Sequence, residues 1–122
     1  MTLTEAIGII DTVKPNGYGE AEKIRWLSVL DGTVKRELLD TREGAECGFE
    51  GYSERTDRAR ELLVPHPYDE IYIRWLEAQI DYAGGEYGKY NNSIALFNAA
   101  YEAFEKYCNR TRTPTAKAFT NF

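Results

Sequence analysis

Steps of alternately three and four residues from Ile73 visit Ile73, Leu76, Ile80, Ala83, Tyr87, Tyr90, Ile94, Phe97, Tyr101, Phe104 and Cys108. Every one of these positions is apolar or aromatic, a repeat that fits the 3.6-residue turn of a helix and no strand period. The C-terminal half of the chain is therefore restricted to helix with one buried face. Trp75, Ala78 and Tyr82 widen the stripe early; Ala100, Ala103 and Tyr107 widen it late. Gly84 and Gly85 interrupt it, and each glycine costs about 1 kcal/mol inside a helix. Two arrangements satisfy the pattern: one long helix kinked at the glycines, or two helices meeting there. The phase is kept across the pair, which favours a kink or a very tight junction.

The rest of the chain reads as shorter helices joined by polar segments. TLTEAIGIIDTV predicts a first helix, capped by Thr4 or Thr2, with Ala6, Ile9, Ile10 and Val13 as its apolar face. Pro15, Asn16 and Gly17 end it with turn chemistry. A second helix is expected from about Glu20 to Asp40 on Ile24, Leu27, Val34 and Leu38, with Trp26 and Leu30 alongside and Asp31-Gly32 as an interruption. TREGAECGFEGYSER, residues 41–55, has glycines, acids and no apolar period, so it predicts an irregular loop. Leu62, Leu63 and Val64, closed off by Pro65 and Pro67, predict a short extended segment against the core. The expected fold is all-α: a single domain over residues 1–110, a small bundle of about four helices, followed by a polar tail, 111–122.

With 122 residues there is room for one modest core. Acidic residues outnumber basic ones, 20 to 15, for a net charge of -5. That balance argues against DNA or an anionic membrane as the main partner, because both reward a concentrated basic surface. The sequence contains no uninterrupted apolar run of transmembrane length and no signal-peptide pattern. Cys47 and Cys108 stand far apart and outside any CxxC spacing; a disulfide and two reduced thiols both fit, and the absence of an export signal favours the thiols and a cytosolic chain.

Chemistry-bearing motifs are few. No P-loop, nucleophile elbow or zinc spacing occurs. His66, the one histidine, lies between two prolines with no ligand beside it in sequence. Glu70, Glu77, Asp81 and Glu86 read as a solvated helix face, since no second helix supplies matching ligands for a bundle metal site. No cofactor, metal or catalytic residue is expected, and the chain reads as non-enzymatic. The residues that ask for another explanation are Tyr87, Tyr90, Asn91 and Asn92. Tyrosines bury their rings and keep their hydroxyls wet, whereas asparagine is a mediocre helix residue suited to a cap or to a polar contact with a neighbour. Arg110 suits the last turn of a helix, where a cation meets the dipole, or an acidic partner. Nine tyrosines and two tryptophans are many rings for a small helical interior to hide, and such residues concentrate where proteins meet.

PYDEIYIRWLEAQIDYAGGEYGKYNNSIALFNAAYEAFEKYCNR, Pro67 to Arg110, resembles a group of small proteins from the head-morphogenesis region of tailed phages and prophages of Gram-positive bacteria, the head–tail connector or adaptor proteins. The PYD start, the WLEAQIDY helix and the EYxxYNNSxxLFNxAYxxFxxYxNR helix carry the likeness. EKIRWLSVLDGTVKREL, Glu22 to Leu38, fits the group's N-terminal pattern. The matched positions are Tyr68, Asp69, Tyr82, Glu86, Tyr90, Asn91, Asn92, Phe97, Asn98, Tyr101 and Arg110. The resemblance implies a non-enzymatic subunit that forms a ring under the portal and extends the DNA channel. Its partners would be the portal, neighbouring connector or stopper proteins and copies of itself, with DNA only passing through and no membrane involved. Its location would be the head–tail junction of the virion, and the host cytoplasm during assembly. A small regulatory protein-binding module is the alternative. The sequence departs from the group at Gly84, where a larger residue is commoner, so a loose junction is expected there.

Overall fold

A computed structural model describes residues 1–39 and 49–111. Among them are four α-helices: α1 (Leu3–Val13), α2 (Glu20–Val34), α3 (Glu70–Ala83) and α4 (Tyr87–Thr111), with a π-helical turn, Lys35–Leu39, at the end of α2. No strand forms among these residues; Thr2 and Glu61 make one isolated antiparallel bridge. The all-α expectation holds. Residues 41–48 of the predicted loop, with Cys47, and residues 112–122 of the predicted tail lie outside the described residues.

α3 and α4 are two helices folded back on one another, and the junction is tight. Gly85 takes φ +75°, a backbone conformation that a side chain disfavours. The carbonyls left open at the end of α3 are then filled by the turn itself: Gly84 N–H donates to Ile80 O (3.0 Å), Gly85 N–H to Tyr82 O (3.1 Å) and Glu86 N–H to Asp81 O (2.9 Å). The last two are the paired bonds of a Schellman motif. The junction expected to be loose is thus held by three hydrogen bonds, and Gly84, at φ −84°, needs no special freedom.

The two halves of the stripe face each other across this hairpin. Tyr82 meets Tyr90 (ring centroids 5.2 Å), Trp75 meets Phe97 (4.9 Å), and Tyr68, just before α3, meets Tyr107 (4.7 Å). That order is antiparallel, and the tilted rings gain beyond their buried area. Ile73, Leu76, Ile80, Phe97, Phe104 and Cys108 are buried between them and the rest of the core, each large side chain contributing about 1.5–3 kcal/mol.

α3 is the central element, packing on α1, α2 and α4, while the only other helical element that α4 meets among the described residues is the π turn. α1 starts at a capping box: Thr2 Oγ1 accepts from Glu5 N–H (3.1 Å) and Glu5 accepts from Thr2 N–H (2.8 Å). Its buried face is Leu3, Ala6, Ile7 and Ile10. Ile9 and Val13, expected inside, are exposed, because α3 and the 58–62 segment cover the neighbouring side of the helix: Leu3 and Thr4 donate to the carbonyls of Arg60 and Arg58. Leu62 and Val64 are buried against the core as predicted, but the chain bends at Leu63 and Val64 instead of running extended.

Candidate functional site

Between α2 and the α3–α4 hairpin lies an open groove made of two hollows that meet at Trp75. The larger, about 500 Å³, is lined by Glu22, Arg25, Trp26, Val29, Trp75, Gln79, Tyr82 and Ala83. The smaller, about 240 Å³, is lined by Leu30, Thr33, Glu37, Trp75, Phe97, Asn98 and Tyr101. Trp75 is common to both, and its position is fixed: the indole N–H donates to Trp26 O at 2.8 Å, tying α3 to α2 at the groove floor. Val29 (53% exposed) and Tyr82 (57%) stand open to solvent on either side of it.

The charged groups of this groove already have partners within the chain. Arg25 is ion-paired with Glu22, one turn away on α2. Glu37 accepts a hydrogen bond from the Tyr101 hydroxyl at 2.9 Å. Burial, and then that bond to Glu37, pushes the Tyr101 phenol above its ordinary range, so it stays a neutral donor. What remains is an aromatic, hydrogen-bonding surface whose lining holds hydroxyl and amide groups but no thiol or imidazole. Such a surface suits the burial of another protein's apolar residues.

α4 distributes the sequence candidates over two flanks. Tyr87, Asn91, Ile94, Asn98 and Tyr101 recur at steps of four and three, and so share the flank that borders the groove; Asn98 and Tyr101 line it directly. Tyr87 (59% exposed) and half-buried Tyr90 both pack on Tyr82 at the hairpin tip. Asn92 and Arg110 are exposed on the other flank and join no cluster with these; Arg110 lies in the last turn, with its guanidinium 6.0 Å from the Tyr107 ring centroid. Neither asparagine caps a helix, because α4 begins earlier, at Tyr87. Trp26 and Val29 of α2 complete the groove and were not among the sequence candidates.

Two buried carboxylates lie elsewhere. Asp31 is 0% exposed and accepts from the hydroxyls of Tyr52 (2.5 Å) and Tyr72 (2.7 Å) and from Leu63 N–H (3.1 Å). Tyr72 Oη accepts in turn from Val64 N–H at 2.7 Å. This one side chain fastens both ends of the irregular 52–64 segment to α2 and α3. Burial raises the Asp31 pKa, against the pull of its three donors and of the Arg60 charge. Tyr52 and Tyr72 are pushed well above the usual phenol range, by burial first and then by Asp31.

Asp81 corrects the reading of α3's acids as a solvated face: it is 3% exposed, pairs with Lys14 at 3.0 Å and accepts from Ser93 Oγ at 2.9 Å. It is buried because α1's C-terminal segment and α4 close over the end of α3. Glu70 and Glu77 both lie near Arg74, and Glu86 is exposed. His66 is exposed, with Nδ1 3.5 Å from Asp69. Among the described residues no group of His, Cys, Asp or Glu is arranged to hold a metal ion, and no helix is long and apolar enough to cross a membrane. Comparison with protein-family models, curated proteins and solved structures gave no match.

Proposed function

We propose that this chain is a non-enzymatic adaptor of a phage or prophage head–tail connector, a small helical subunit that assembles with its own copies in a ring under the portal and extends the DNA channel. The observation that carries the reading is the groove between α2 and the hairpin. Its walls are built from the segments that carry the family resemblance, Glu22–Leu38 and Pro67–Arg110, and hold Trp75, Tyr82, Asn98 and Tyr101. Its open aromatic surface suits a protein partner. The acidic balance of the chain suits a channel subunit as well, since a basic lumen would retain the phosphates of passing DNA. On this reading the partners are the portal and the neighbouring connector or stopper subunits, with DNA passing through the ring, and the protein resides at the head–tail junction.

The test is co-elution of the purified chain with the portal protein of the same phage or prophage. The wild type is expected to shift into the portal fraction, and Tyr82→Glu, which charges the groove wall while leaving the core intact, is expected to remain behind. A wild-type chain that elutes alone at every ratio, but captures a soluble regulatory partner, would replace the adaptor reading with that of a regulatory binding module.

A further inference from the structure

A groove of about 680 Å³ follows α1, lined by Glu5, Gly8, Ile9, Thr12 and Val13, with Met1 and Asp69 at one end. Positions 5, 8, 9, 12 and 13 make one stripe of a helix, so α1 has a second face beside its buried one. Ile9 (39% exposed) and Val13 (56%) are the apolar residues of that face. We propose that the C-terminal segment of this same chain, residues 112–122, docks in the groove, with Phe119 against Ile9 and Phe122 against Val13.

The end of α4 delivers this segment to the groove. The Tyr107 ring packs on Tyr68 at 4.7 Å. The next residue, Asp69, holds the Met1 amino group at 3.6 Å, at the groove's end. α4 stops at Thr111, and Pro114 cannot continue it. Extended chain spans up to about 28 Å from Thr111 to Phe119 and about 38 Å to Phe122, whereas α1 is only about 17 Å long. Both rings therefore reach their places when the segment enters at Asp69 and runs toward the C-terminal end of α1.

Charge selects the same occupant. Residues 112–122 carry Arg112 and Lys117 and no acid, in a chain of net charge -5. Glu5 and Asp69 line the groove, Glu61 stands 3.4 Å from the Met1 amino group, and no lysine or arginine is among the described lining residues. That amino group offsets one of the three carboxylates, and the groove stays acidic. The same segment of another copy would offer the same groups, so the tether decides between them. A short flexible link holds its end at a millimolar effective concentration, well above that of separate chains at micromolar dilution. A segment held this way keeps Ile9 and Val13 from other proteins until it is displaced. The docking uses no part of the groove between α2 and the hairpin, so it stands or falls separately from the adaptor reading.

The test is the effective concentration of a cysteine pair in the full-length chain, read in a glutathione redox buffer at micromolar protein. Thr12→Cys and Thr120→Cys, in a Cys47→Ser background, set one thiol between Ile9 and Val13 and the other between Phe119 and Phe122. Glu102→Cys with Thr120→Cys is the control, since Glu102 is exposed on α4 and within reach of the same segment. An undocked segment gives millimolar values at both sites. Docking should raise the Thr12–Thr120 value about tenfold over the control. Phe119→Ala, Lys117→Glu and Gly8→Phe should each remove most of that excess. Gly8 lies in mid-groove, and a Cβ added there meets nothing within 4 Å, so Gly8→Phe fills the groove without disturbing the fold. Equal values at the two sites, or a higher one at the control, would overturn the proposal and leave the groove to another occupant. A Thr12–Thr120 disulfide formed between chains instead of within one would overturn it in favour of a second copy. An excess untouched by all three substitutions would also overturn it.

Discussion

Replacing Asp31 by alanine should destabilise this protein more than any other single loss of a polar side chain. Asp31 is fully buried and receives three hydrogen bonds, from Tyr52, Tyr72 and Leu63 N–H. Alanine leaves those three donors without an acceptor in the interior, and each orphaned donor costs about 1–3 kcal/mol. Against that, the buried charge is gone, and a water entering the vacated space can satisfy one donor. The expected loss is therefore near the lower bound, about 3 kcal/mol, with a fall in Tm of roughly 10 °C for a domain of this size. Asp31→Asn keeps one acceptor oxygen and should lose about half as much. The asparagine variant also carries a pH signature. Burial raises the folded-state pKa of Asp31 above its ordinary 3.8, so between those two values the native state holds a proton that the unfolded chain has released. The stability contributed by Asp31 is then fully present below 3.8 and is lost as pH rises through the folded value. The deficit of Asp31→Asn relative to wild type should consequently be greatest in acid and should shrink toward neutrality. Urea unfolding at a series of pH values measures both effects. An alanine variant within 1 kcal/mol of wild type, or an asparagine deficit that grows with pH, would refute the role given to this carboxylate.

The hairpin junction predicts a contrast in cause between adjacent glycines: Gly85→Ala should cost about 1–2 kcal/mol at its positive φ, while Gly84→Ala, at φ −84° but with the added Cβ a tight 3.3 Å from Ile80 O, should cost less, about 0.5–1 kcal/mol, both read from denaturant midpoints. Phe104→Ala empties the contact between α4 and the core and should cost about 3–5 kcal/mol in the same assay. Ser93→Ala removes one of the two partners of buried Asp81 and should cost about 1 kcal/mol, whereas a change below a few tenths would mean that Lys14 alone suffices.

The two helical halves were legible because their signal is local: eleven stripe positions in phase, broken by two glycines. Whether they form one kinked helix or a hairpin was left open, because the stripe is compatible with both; the positive φ of Gly85 decides it, and at the turn Ala83 and Tyr87 leave the buried face. α1 was half legible. Leu3, Ala6, Ile7 and Ile10 form one helical face and Ala6, Ile9, Ile10 and Val13 form another, and the α1 sequence contains no reason to prefer either; the elements packed against it decide. Asp31 illustrates a signal that was present and unused. It stands between Leu27 and Val34, where the stripe of α2 calls for an apolar residue, so an acid there asks for buried donors. Those donors, on Tyr52 and Tyr72, lie 21 and 41 residues away, beyond any periodic pattern. The groove shares that difficulty. The tyrosines and asparagines of α4 were candidates on their sequence alone, but Trp26 and Val29 line the groove beside them only because the indole of Trp75 reaches the Trp26 carbonyl across two helices.

The adaptor reading is tested most directly by the absolute mass, from light scattering, of the chain mixed with the portal protein of the same phage or prophage. A discrete particle heavier than the portal assembly by several multiples of 14.0 kDa is the predicted result. A 14.0 kDa species beside an unchanged portal, at every ratio and concentration, would contradict it.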